Sequence, residues 1–223
     1  MRVAVLSDTH NLLRKEVLEE IRGCELILHG GDISNREVLD TLVNILPVRV
    51  VRGNNDGNWA EDLPSSDDFE LCGRRIYMTH KKKDLPENLM PYDMVIVGHS
   101  HRYSAEWMQH SDGKQTLVLN PGSCGPRRFY QPVTMALVNI SPSDLMVTRV
   151  DIPNGVEIPR KPAEKQDLRR QIETVIREME KSKTVLNIAE KHNWDRMLVE
   201  QIARIVVTHP GVTVDEIMSK MGL

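Results

Sequence analysis

Seven residues of this 223-residue chain carry metal-binding donors, and each follows the end of an apolar run. The run Met94-Val95-Ile96-Val97 stops at Gly98 and then presents His99 and His101. In an extended chain residues i and i+2 share a face, so the two imidazoles project to one side. Asp8 and His10 follow the run over 3–6, Asp32 follows 26–28, Asn54 follows 48–51 and His80 follows 75–78. Imidazole, carboxylate and carboxamide together suit Mn, Fe, Zn, Ni or Co better than Mg or Ca. Seven donors exceed the needs of one ion, and with one carboxylate shared they divide into two sites. Ions ~3.5–4 Å apart clamp a phosphoryl group and generate hydroxide at neutral pH. The plain alternative is that Asp8 caps a first helix and Asp32 a second. Capping alone does not explain why all seven fall at strand ends.

The elements that must position these residues follow from periodicity. Strand 3–6, helix 12–22, strand 26–28, helix to about 45 and strand 48–51 form a β-α-β-α-β series. Its near-continuous apolar strands are typical of a parallel sheet covered by helices. In such sheets ligands gather beyond the carboxyl ends of the strands. Ser34 or Asn35 can cap the second helix. Residues 57–73 read as polar and irregular, 75–78 as a fourth strand and 94–97 as a fifth. Runs at 116–119, 133–140 and 145–150, the last two flanking a Ser-Pro-Ser-Asp turn, predict a mostly β second half that packs as a second sheet on the first. Residues 1–151 form the expected main domain and 152–163, with three prolines and a glycine, a linker. Residues 164–223 form a small helical domain, in which Thr213 and Glu216 have capping-box spacing.

Composition narrows the class. No apolar run reaches the ~18 residues that span a bilayer. The chain enters its first strand at residue 2 without a leader pattern, which predicts a cytoplasmic protein. Cys24, Cys72 and Cys124 are odd in number and widely spaced, as reduced thiols would be. A net charge of −3 and 4% aromatics leave nucleic-acid binding without an electrostatic or stacking basis.

Asp8-x-His10, Gly31-Asp32, Gly53-Asn54, His80 and Gly98-His99-Ser100-His101, in that order, resemble the signature of calcineurin-like metallophosphoesterases. Asn120-Pro121-Gly122-Ser123 is similar to a segment of that superfamily's small bacterial and archaeal phosphodiesterase branch. The resemblance covers residues 1 to about 151. It implies a two-sheet αββα sandwich, here with a C-terminal all-helical appendage, and a dinuclear site with manganese as the first expectation. By the same resemblance Asp8, His10, Asp32 and His101 hold one ion. Asp32, Asn54, His80 and His99 hold the other, with Asp32 bridging. The implied activity is hydrolysis of a small phosphodiester or nucleotide-like substrate by a hydroxide made on the metals.

Two departures from the family pattern matter. The family often has Gly-Asn-His-Asp, whose His assists the leaving oxygen, whereas this chain has Gly53-Asn54-Asn55-Asp56. Asn54, Asn55 and Asp56 are the catalytic candidates of this segment, but Asn55 is no acid at neutral pH. The usual His-Gly-His is replaced by His80-Lys81-Lys82. Lys81 and Lys82, within a triple lysine, and Arg127 and Arg128 are candidates for holding substrate phosphate. His29 reads as structural, and His110, His192 and His209 as surface residues without partners.

The tail from 164 holds ten Lys/Arg and ten Asp/Glu, so it lacks the basicity of a DNA-binding appendage. A packing, lid or homo-oligomerising role fits it better. Two rivals to the enzyme share the fold: a protein-binding scaffold, such as a retromer subunit that resembles the family but has an eroded ligand set, and a nuclease. Competent donors at all seven positions favour the phosphodiesterase.

Overall fold

The structure is a computed structural model that describes residues 1–126, 131–153 and 162–221. It divides into two compact units, residues 1–127 with 132–154 and residues 128–131 with 155–223.

In the first unit the chain runs β1 (Arg2–Leu6), α1 (Lys15–Ile21), β2 (Leu26–His29), α2 (Arg36–Val43), β3 (Val48–Val50) and β4 (Ser66–Leu71). It continues through β5 (Arg74–Thr79), β6 (Met94–Ile96), β7 (Tyr103–Gln109), β8 (Gln115–Pro121), β9 (Val133–Ile140) and β10 (Leu145–Ile152). Two five-stranded sheets result, in the orders β10-β9-β1-β2-β3 and β4-β5-β6-β8-β7. Each has three parallel strands at its heart: β1, β2 and β3 in one, β5, β6 and β8 in the other.

Alternation along the strands explains the two-sheet sandwich. Val3 and Val5 of β1 pack between the sheets with Leu28, Met78, Ile96 and Leu119. Ala4 and Leu6 point the other way, against Val17 and Ile21 of α1 and Leu42 of α2. A strand buried on both faces has no polar positions, hence its unbroken apolar run. Each such Leu or Val contributes ~1.5–3 kcal/mol of burial.

The structure corrects the sequence reading at several places. The β9–β10 hairpin joins the first sheet, antiparallel to β1 with Val5 opposite Ala136, instead of adding to a second one. The second sheet is built by β4 to β8, so the candidate metal-binding donors come from two sheets. Residues 66–71, read as irregular, form β4. Its acidic residues disguise it, because on an edge strand they pair sideways: Asp67 with Arg49 at 2.8 Å and Asp68 with Arg75 at 2.9 Å. Cys72 and Gly73, both at positive φ, make the tight turn into β5. Finally, α1 starts at Lys15, three residues later than expected, because His10 and Asn11 have left-handed backbones (φ 42° and 63°). Asn35 caps α2, its side chain accepting from the Glu37 amide at 2.9 Å, and Arg14 precedes α1, so neither Asp8 nor Asp32 serves as a cap.

The second unit contains α3 (Pro162–Glu180), α4 (Val185–His192), α5 (Arg196–Thr208) and α6 (Val214–Lys220). Ile172, Val175, Ile188, Val199, Ile202, Ile217 and Met221 form its core. Thr213 and Glu216 complete the capping box, and Asn193 ends α4 in the left-handed conformation (φ 51°). Of the expected linker, Ile152 closes β10 and Pro162 opens α3, while residues 154–161 lie outside the described residues. No helix among the described residues is long and apolar enough to cross a membrane.

Candidate metal centre

The carboxyl ends of β1 and β2 are laced together by their loops. The amides of Asp8, His10 and Asn11 donate to the carbonyls of Gly31, Asp32 and Ile33 at 2.9, 3.0 and 2.8 Å. This ladder requires positive φ at Asp8 (56°), His10 (42°) and Asp32 (57°), a region that non-glycine residues seldom adopt. From the other sheet, His99 (φ 67°) and His101 (φ 58°) do the same after β6.

Two clusters result. Asp8, His10 and His101 bring one donor atom each within 4.8 Å of one another, and Asp32, His80 and His99 do likewise. In the first, His101 Nε2 lies 3.0 Å from Asp8 Oδ1 and 3.2 Å from His10 Nε2. In the second, His80 Nε2 lies 3.4 Å from Asp32 Oδ2. Asp32 Oδ2 is also 3.8 Å from His10 Nε2, so this carboxylate faces both clusters.

Asp8 and His80 are each held by neighbours. Asp8 Oδ2 accepts from Ser7 Oγ at 2.6 Å and from the His99 amide at 3.0 Å, which turns Oδ1 toward the histidines. The Nδ1 of His80 is 2.7 Å from the Gly30 carbonyl, which fixes the ring with Nε2 inward. Gly98 has no side chain for a reason: a Cβ there would lie 2.1 Å from Ser7 Oγ and 2.9 Å from Asp8 Oδ2. Gly53 is similar, since its Cβ would lie 2.1 Å from the Asp32 nitrogen.

Electrostatics follow from this packing. Burial opposes ionisation of Asp8, but the adjacent His10 and His101 imidazoles and the Ser7 hydroxyl hold its carboxyl far below the usual range. Burial likewise opposes Asp32, while His80 and the Asn55 amide bring it down to about 2. Burial disfavours charged His80, yet Asp32, Asp8 and the Gly30 carbonyl raise its pKa. Burial, the His80 charge and the Lys81 charge lower that of His99.

This donor set fits divalent ions. Asp8 Oδ1, His80 Nε2 and His101 Nδ1 are buried without a hydrogen-bond partner, which is costly unless something else satisfies them. The first two point at the facing donors of the clusters. Mixed imidazole and carboxylate ligands suit transition metals.

The other candidates are distributed differently. Asn54 is exposed on the loop after Gly53. Asn55 is bound to Asp32, through its amide at 2.7 Å and its Nδ2 at 2.6 Å. Asp56 is buried and braces the loops, accepting from the amides of Asp32 (3.0 Å), Gly53 (2.8 Å) and Ser34 (2.6 Å). Lys81 is half-buried and electrostatically coupled to His99, whereas Lys82 is exposed on a short 3₁₀ turn. Arg127 and Arg128 lie outside the described residues. His29 is fully buried, 3.2 Å from Thr9 Oγ1, with its pKa lowered by burial to about 4. The reading of three partnerless histidines needs correction. His110 is 2.8 Å from Thr116 Oγ1, His192 stacks on Trp194, and exposed His209 contacts Thr208 and Lys220.

Three residues have supporting roles that the sequence did not assign, although Asn120 and Ser123 lie in the segment that resembles the family. Ser7 anchors Asp8. Asn120 donates to the Gly98 carbonyl at 2.8 Å and to Ser100 Oγ at 3.0 Å, and Ser123 Oγ donates to the Asp8 carbonyl at 2.8 Å. The Asn-Pro-Gly-Ser segment thus ties the His99–His101 loop to the Asp8 loop.

Comparison with known proteins agrees with this geometry. A probable metallophosphoesterase from Methanothermobacter thermautotrophicus is 29% identical over 151 residues, covering 61% of this chain and 85% of the relative. Another from Methanocaldococcus jannaschii is 31% identical over 138 residues, covering 55% and 68%. The solved structure of Vacuolar Protein Sorting 29 from Cryptosporidium parvum shares the fold at a TM-score of 0.57 and 20% identity, covering 70% of this chain and 93% of that one. The family model described as the calcineurin-like phosphoesterase superfamily domain matches residues 1–143, and the chain belongs to that superfamily of metal-dependent phosphoesterases.

Proposed function

We propose that this chain is a phosphodiesterase that works with two divalent transition-metal ions, manganese being the first expectation and iron, nickel, zinc or cobalt the alternatives. The observation that carries the reading is the pair of facing clusters with Asp32 Oδ2 directed at both. Asp8, His10, Asp32 and His101 would hold one ion, and Asp32, Asn54, His80 and His99 the other. Bound ions of this kind supply Lewis acidity, which activates water and neutralises charge on phosphoryl oxygens.

The chain's own residues decide the substrate class. Asp8 and Asp32 stay ionised through the physiological range and so keep the centre anionic enough for dications. Lys81, whose charge is felt at His99, is suited to hold a substrate oxygen, with Lys82 at the rim and Arg127 and Arg128 as further phosphate-binding candidates. Asn55 has no proton to give a departing oxygen and its amide is engaged with Asp32. The leaving group must therefore be acidic enough to depart unaided, which favours diesters with acidic leaving groups, such as aryl diesters, over alkyl monoesters. The three free cysteines fit a reducing, cytoplasmic setting.

The test is to measure bound metal per chain and then hydrolysis of bis(p-nitrophenyl) phosphate and p-nitrophenyl phosphate. The expected result is about two ions, a preference for the diester, and loss of diesterase activity in Asp32→Asn. A metal-free, inert wild type would return the chain to the scaffold reading.

A further inference from the structure

The two buried carboxylates of the centre are held in different ways. On Asp8 both supporting donors, Ser7 Oγ and the His99 amide, fall on Oδ2, leaving Oδ1 without a hydrogen bond. On Asp32 the donors are divided, with the Asn55 amide on Oδ1 at 2.7 Å and the Asn55 side chain on Oδ2 at 2.6 Å. A carboxylate oxygen offers about two lone-pair directions. One donor on each oxygen therefore fixes the rotation of the group and leaves one direction free on both. Asp32 Oδ2 then faces His80 Nε2 at 3.4 Å on one side and His10 Nε2 at 3.8 Å on the other. Gly53 closes the remaining freedom from behind, since even a methyl group there would strike the Asp32 amide nitrogen and Oδ1.

We propose that Asn55 is a positioning residue: its backbone and carboxamide N–H groups jointly clamp Asp32 in the one orientation that serves both clusters. This inference rests on the two-ion reading above. It gives Asn55 a role different from leaving-group assistance, because a carboxamide is no acid and one of its Nδ2 hydrogens is committed to Asp32. It also accounts for the residue type. A carboxamide can donate to a carboxylate at any pH, whereas Asp at this position would set a second negative charge against Asp32. Asn55 is exposed, so its loss leaves no cavity in the core.

The experiment titrates metal-free wild type, Asn55→Ala, Asn55→Asp and Asn55→Gln with MnCl₂ by calorimetry, with electron paramagnetic resonance to detect paired Mn. Wild type is expected to take about two ions. Outer ligands of this sort are worth ~10–100-fold in metal affinity, so Asn55→Ala should bind Mn that much more weakly and lose the paired signal. Asn55→Asp should bind more weakly than Asn55→Ala, despite its added charge, and Asn55→Gln should recover part of the affinity. Metal-free melting temperatures should match wild type. If wild type takes two ions and Asn55→Ala binds both equally tightly, the clamp is overturned while the two-ion reading stands. If metal-free Asn55→Ala melts early, Asn55 serves the fold and not the carboxylate, and the clamp is again overturned. A wild type that takes one ion or none overturns the two-ion reading and the clamp with it.

Discussion

Burial alone would drive the Asp8 and Asp32 carboxyls toward neutrality, and their neighbours reverse that outcome. On the phosphodiesterase reading proposed above, Asn55 offers the leaving group no acid. At saturating Mn, Asn55→His should therefore speed diester hydrolysis, since general-acid assistance contributes up to ~10²–10⁴-fold. The gain should be greatest for the most basic leaving groups. A series of aryl diesters of graded leaving-group pKa checks this, and equal rates in the variant and wild type across the series would sink the account. At this scale the sequence was most legible where a donor closes an apolar run, as with His80, His99 and His101. It was least legible where common residues act through others. Ser7 carries no pattern of its own, the Asn120–Ser123 segment shows a resemblance without a role, and the roles of all three arise only when strands from two sheets bring them together. The side-chain bond from Asn55 to Asp32 joins residues 23 positions apart and likewise leaves no local trace.

The loops after β1, β2 and β3 form one body, because the Asp8, His10 and Asn11 amides donate to the β2 loop and Asp56 ties the Asp32, Ser34 and Gly53 amides together. Gly53 is the point at which that body has no room to spare. Gly53→Ala should cost ~1–3 kcal/mol by overpacking against backbone atoms and should weaken Mn uptake by displacing Asp32. Urea unfolding of the metal-free variant measures the first effect and Mn titration the second. An alanine variant with wild-type midpoint and affinity would mean that the loop can back away. Among elements, the parallel β-α-β-α-β half was readable because strands buried on both faces leave unbroken apolar runs. The edge strand β4 and the placement of β9–β10 were not. Charged residues on an edge strand mask its period, and the choice of sheet for a hairpin depends on long-range pairing with β1 that no local pattern encodes.

Across the whole molecule, the family match ends at residue 143, and the described centre is built entirely within the first unit. The helical unit has its own core and capping signals, which is why its helices were legible from periodicity alone. In the first unit, five residues assigned to the ions, Asp8, His10, Asp32, His99 and His101, hold left-handed backbones. Such a conformation costs a non-glycine residue ~1–2 kcal/mol. Removing the side chain of exposed His99 should relieve more than the ~0.5–1 kcal/mol of chain entropy that glycine loses. Metal-free His99→Gly should thus melt higher than wild type, by about 2 °C, while binding Mn poorly. Scanning calorimetry with and without Mn decides it, and a lower metal-free melting point would contradict the argument. The centre works as a sprung clasp: a bulky residue kept at an exposed left-handed position, as His99 is, makes the empty protein less durable. Drift toward glycine at position 99 would therefore yield a sturdier chain with a weaker grip on its ion, and selection for endurance alone would erode the chemistry.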